Sequence, residues 1–183
     1  MTQRYTPAQQ WMHWATIPCV AGALAIAWVF SHIGDGDSLT EPLFAWHETL
    51  GLAAFVLVIA RLVSRRRNPA PPLPPTLARW ERLAAAATHF LLYALLVWLP
   101  VTGFIATTAY GDPPRLFNFI HTPALFAKND HLNAIAGTLH GGAQWLLYAL
   151  LIVHVAGVVF QIAVRRSGLL VRMLPPGATE PRA

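Results

Sequence analysis

LHGGAQWLLYALLIVHVAGVVFQIAV, the stretch from Leu139 to Val164, holds no aspartate, glutamate, lysine or arginine. It is longer than the ~20 apolar residues a helix needs to cross the hydrocarbon layer of a bilayer. Two histidines interrupt it, His140 and His154. At about 100° per residue they fall about 40° short of four whole turns, so they share one face of a helix, about 21 Å apart along its axis. An ionisable side chain inside a membrane is costly and is a functional residue by default.

Working outward, the rest of the chain repeats the pattern. Apolar runs cover about residues 11–30, 43–63 and 83–109, and the fourth covers 137–164, with a softer start near Ile135. The 183 residues are 55% hydrophobic and only 11% charged, whereas ordinary soluble domains are about 25% charged. A soluble protein this small could not bury so much apolar surface. No alternation of period two appears, which excludes a β-barrel. The expectation is an all-α, integral membrane four-helix bundle, one domain over residues 1–183. Cys19 is the single cysteine, so an internal disulfide and a C-x-x-C-H attachment site are both excluded. The first run, opening on His13 between tryptophans, reads as a span and not as a cleaved leader.

Basic residues give the orientation. Arg4 precedes the first run; Arg61, Arg65, Arg66, Arg67, Arg79 and Arg82 lie between the second and third; Arg165, Arg166, Arg172 and Arg182 follow the fourth. The other two loops carry Arg115 and Lys128 against Asp35, Asp37, Glu41, Asp112 and Asp130. The excess of arginine on one side predicts both termini in the cytoplasm. The net charge of +5 is thereby a topology signal, and no nucleic-acid partner is needed to explain it. Residues 68–75, with five prolines, predict a stiff non-helical connector. The outer loop, 110–134, is expected to hold a short interfacial helix.

Of eight histidines, His32, His121 and His131 fall in outer loops, while His13, His47, His89, His140 and His154 lie in spans. His140 and His154 on one helix suit two stacked haems, each needing two axial nitrogens. His47 opens the second span at the depth of His140. On the inner side both His13 and His89 are available to partner His154, and spacing does not choose between them. Gly51, Gly137 and Gly157, each about a turn from one of these histidines, leave room for a flat macrocycle or for close helix packing. Arg61, fourteen residues after His47 on the same face, is placed to pair with a propionate of the inner haem.

These residues resemble the bacterial cytochrome b561 family over nearly the whole length. The shared features are Met12-His13-Trp14, Trp46-His47-Glu48-Thr49-Leu50-Gly51, Arg61-Leu62 through Arg65 with Asn68-Pro69, His89 through Leu99-Pro100 and Gly103, Leu139-His140 to His154, and the tail Leu169 to Pro175. The resemblance implies two haem b groups with His13, His47, His140 and His154 as axial ligands, His13 being favoured over His89. It also implies a multi-pass protein of the bacterial inner membrane, working in electron transport of a respiratory chain between a donor and quinone. Superoxide oxidation with ubiquinone as acceptor is an activity associated with the family. Related subunits anchor hydrogenases and formate dehydrogenases, so a homodimer or an oxidoreductase partner subunit is a further expectation.

Two alternatives remain open on the residues alone. One is a membrane-anchor subunit of a larger dehydrogenase or hydrogenase. The other, a haem-free histidine transporter, has only Glu48 as a carboxylate in the spans, whereas relays and cation sites recruit more.

Overall fold

The computed structural model describes residues 3–30, 32–33 and 38–174. Asp35, Asp37, Pro175 and Arg182 lie outside them. Four helices dominate: α1 (Pro7–Phe30), α2 (Thr40–Arg67), α3 (Arg79–Tyr110) and α4 (Asp130–Ala163). All four are long and apolar enough to cross a membrane. Each extends a few residues beyond the expected span, because helices continue past the hydrocarbon layer until a cap or a proline stops them. At α4 this brings His131 out of the expected loop and into the first helical turn.

The helix ends are built from local chemistry. The Asn129 side chain accepts from the Leu132 amide and caps α4. Gly111 ends α3 at φ 103°, a left-handed conformation that suits glycine. At the start of α3 the Glu81 carboxylate accepts from the Ala78 amide at 2.6 Å. The same carboxylate pairs with Arg165 Nε at 3.0 Å and accepts from Gln161 Nε2 at 3.2 Å. This buried carboxylate ties the start of α3 to the end of α4. Glu81→Ala is therefore expected to lower stability by about 1–3 kcal/mol, from the lost cap and the polar groups left unpaired; unfolding of the purified protein in mild detergent would measure it.

α1 packs along α2, α3 packs along α4, and α2 meets α3. Among the described residues no Cα of α1 or α2 comes within 8 Å of a Cα in α4. The bundle is thus two tight pairs with an open seam facing α4. In the middle a buried cluster of Val20, Ala54, Leu92, Leu95, Leu99 and Leu147 closes that seam. Leu147 lies seven residues from both His140 and His154, so this apolar layer lies between two histidine levels, called the outer and inner chambers after the orientation expected from sequence. Outward, Phe90 (71% exposed), Ile152 (70%) and Trp145 (72%) present apolar surface all round, the solvation expected of lipid-facing helices.

The loop between α3 and α4 departs from expectation. It holds a two-stranded hairpin, β1 (Arg115–Leu116) and β2 (Ile120–His121), where an interfacial helix was expected. Pro113 and Pro114 offer no backbone donors. Phe117 and Asn118 both take positive φ, 54° and 66°, which reverses the chain. The turn is held by α2, since Thr49 Oγ1 accepts from the Phe117 amide at 2.8 Å and Glu48 Oε2 from the Arg115 amide at 2.9 Å. The connector at residues 69–74 is non-helical, as its prolines require.

Candidate haem-binding sites

The outer chamber contains His47 of α2 and His140 of α4. Their ring centroids stand 6.1 Å apart with planes at 75°. Two imidazoles binding one metal ion from opposite sides, with metal–nitrogen bonds of about 2 Å, have ring centres about 6 Å apart. Both rings are pinned by their far nitrogens. His47 Nδ1 donates to the Ala23 carbonyl at 2.9 Å, and His140 Nδ1 donates to the Leu99 carbonyl at 2.9 Å. That fixes the tautomer and leaves each Nε2 lone pair facing the seam, the arrangement metal-bound histidines adopt.

A cavity of about 350 Å3 lies here, lined by His47, His140, Gly51, Gly103, Gly137 and apolar side chains such as Phe30 and Leu96. A Cβ added at Gly51 or Gly137 would meet nothing within 4 Å. These two glycines therefore face open space; they are not helix-packing contacts. Gly103 is different: a Cβ there would stand 3.0 Å from His140 Cε1 and 3.1 Å from Nδ1. The imidazole lies against bare backbone, between Gly103 and the Leu99 carbonyl. A planar, largely apolar group with a metal at its centre fits this chamber.

The inner chamber holds the other three span histidines. His13 of α1 and His154 of α4 have centroids 6.4 Å apart with planes at 71°. His89 of α3 lies closer to His154, at 5.2 Å with the rings perpendicular. That is an edge-to-face contact, shorter than the separation a shared metal requires. His89 Nδ1 donates to the Ala85 carbonyl of its own helix at 2.6 Å. Arg61 Nη2 donates to His13 Nδ1 at 3.1 Å, and its guanidinium lies 5.3 Å from the centre of the Tyr93 ring. A Cβ at Gly157 would meet nothing within 4 Å.

Sequence reasoning gathered all six of these residues but missed their supports. The Ala23 and Leu99 carbonyls belong to the main chain and carry no residue signature. Gly103 was noted only as a feature shared with the family, and Tyr93, one turn after His89 on α3, could have been found from its position.

Four apolar helices with imidazoles paired across open seams define a class of membrane protein that clasps a planar metal cofactor between helices. Residues 4–176 match the family described as prokaryotic cytochrome b561. The chain belongs to that family, which implies binding of b-type haem and a place in a bacterial membrane. It is similar to cytochrome b561 homolog 1 of Escherichia coli, 26% identical over 172 residues, covering 94% of this chain and 97% of that protein. Cytochrome b561 homolog 2 of the same organism is 27% identical over 152 residues, 83% and 81% of the two chains. A probable superoxide oxidase, CybB of Yersinia pestis, is 26% identical over 180 residues, 96% and 98%.

Proposed function

We propose that this chain, as one domain, carries electrons across the bacterial inner membrane through two haem b groups, between a donor on the outer side and quinone. The observation that carries the reading is the pair of histidine–histidine separations, 6.1 and 6.4 Å, one in each chamber. His47 and His140 are the axial ligands of the outer haem, and His13 and His154 those of the inner. The arginine-rich ends of α2 and α4 support cytoplasmic termini.

The haem iron supplies one-electron chemistry; the protein supplies ligation, spacing and a low-dielectric shell. Two histidines would hold each iron and leave it no site for a small molecule, so outer-sphere transfer would be expected. A ring that binds through Nε2 keeps its proton on Nδ1, and a guanidinium has no acceptor to offer that proton. Arg61 must then leave His13 Nδ1 for an anionic partner, which supports its pairing with an inner propionate.

A reduced-minus-oxidised spectrum of purified protein, with a haem-to-protein ratio, tests the reading. A b-type band at two haems per chain is expected; its absence, with protein folded, would reject it and favour the transporter. Arg61→Ala is a second test. A nearby cation stabilises the reduced, more negative state, so its loss should lower the inner midpoint by tens of millivolts and leave the outer one in place. Two unchanged midpoints in potentiometry would remove Arg61 from the inner site.

The donor need not be the anion named for the Yersinia relative. Arg115 pairs with Glu41 and Asp112, and Lys128 pairs with Asp130 at 3.5 Å. The two outer cations expected from sequence are thus engaged with carboxylates, which weakens the attraction of this rim for superoxide. The proposed region for quinone is beside the inner haem, around His89, Arg61 and Arg65.

A further inference from the structure

Arg172 is 5% exposed, although it follows the last span, where sequence counted its charge as a topology signal and its tail as a feature shared with the family. Its guanidinium is satisfied by main-chain carbonyls. Nε donates to the Gln3 carbonyl and Nη2 to the Pro72 carbonyl, both at 3.0 Å. Its own carbonyl accepts from the Tyr5 amide at 3.2 Å and from Gln10 Nε2 at 3.1 Å. One residue further on, the Met173 carbonyl accepts from Trp14 Nε1 at 2.7 Å. Gln9 Nε2 adds a bond of 2.8 Å to the Asn68 carbonyl.

These bonds hold the segment that leads into α1, at Gln3 and Tyr5, and the start of α1 itself, at Gln9, Gln10 and Trp14, next to His13. Trp14 also touches the His13 ring, edge to face with centroids 5.6 Å apart. No Cα of α1 approaches one of α4 within 8 Å among the described residues. α1 and α4 meet through side chains, in the Val20–Leu147 layer and where the Tyr148 hydroxyl donates to the Leu24 carbonyl at 3.4 Å, on the far side of that layer from His13. At the level of His13 a relay joins them: α4 runs into the tail, the 3-10 turn Leu170–Arg172 follows, and the tail bonds to α1 and to the proline connector.

We propose that Arg172 is the positioning residue of the inner site, and that the tail, through Trp14, holds His13 at its distance from His154. This rests on the two-haem reading above. Supporting residues around metal-bound histidines typically change retention by roughly 10- to 100-fold when removed. The full-length protein would be purified as wild type, Arg172→Ala, Arg172→Lys and Trp14→Phe. Each would be examined for haem per chain, for low-spin electron paramagnetic resonance signals and by potentiometric titration.

Arg172→Ala should retain its inner haem roughly tenfold less well, with the outer signal and midpoint unchanged. Arg172→Lys, which restores the charge but reaches one carbonyl, should recover part of the loss. Trp14→Phe keeps the ring contact without the Met173 bond, and should shift the inner signal with haem retained. Unchanged inner signals in both Arg172→Ala and Trp14→Phe would overturn the proposal, as would equal loss of both haems in Arg172→Ala. A wild type with fewer than two haems would instead reject the two-haem reading.

Discussion

On the proposed two-haem reading, a His140→Ala chain purified from membranes is expected to carry one haem in place of two, and to lose the outer midpoint while keeping the inner. Two separate facts make this the largest single effect. The ring is one of a pair whose 6.1 Å separation suits a shared metal, and a lone remaining imidazole leaves the iron with half its axial ligation. The substitution also empties the place where the ring meets Gly103 and the Leu99 carbonyl, and leaves His47 as the one histidine among the described residues lining that cavity. The apolar layer around Leu147 separates the chambers, which is why the inner haem should survive. His121→Ala, an exposed substitution in the hairpin, serves as the control and should retain both. Full haem content in His140→Ala would show that another residue ligates the outer iron.

Gly103→Ala should nearly reproduce that loss with only one methyl group. Its Cβ would arrive 3.0 Å from His140 Cε1, so the imidazole must shift by tenths of an ångström and strain its 2.9 Å bond to Leu99. Loss of a bond that orients a metal-bound histidine weakens retention by roughly 10- to 100-fold. The outer haem should therefore dissociate first during detergent purification, and Gly103→Val should lack it altogether. Gly51→Ala is the contrast, because its Cβ faces open space in the protein alone; comparing the haem retained by the two variants separates a crowded ligand from a crowded macrocycle. Equal retention in Gly103→Ala and wild type would mean that the ring shifts freely.

Much of this was legible in the residues. Uncharged runs gave the helices because the bilayer tolerates nothing else of that length. The fourteen-residue interval on α4 gave both chambers, because helix geometry is periodic. Spacing did not choose between His13 and His89, since the choice depends on how far α1 stands from α4 and no local pattern encodes that distance; only the resemblance favoured His13. The hairpin at Arg115–His121 was misread for a related reason. Its left-handed turn at Phe117 is held by Thr49 and Glu48 on a distant helix, and only Asn118 hinted at it. The tail was undervalued because a buried arginine satisfied by carbonyls looks, in sequence, like any other basic residue beyond a span.

The interval on α4 has a consequence for energy conversion. His140 and His154 are separated by about 21 Å of a hydrocarbon layer about 30 Å thick. On the proposed reading, an electron passing from the outer to the inner haem crosses about two-thirds of the membrane's electric field. A charge crossing all of it changes energy by about 2.3 kcal/mol per 100 mV, so this step changes by about 1.6 kcal/mol per 100 mV. With the cytoplasm negative, the field opposes inward transfer and favours the return. The division of electrons between the two chambers would then follow the energised state of the cell, and one helix of fixed length would determine how steeply.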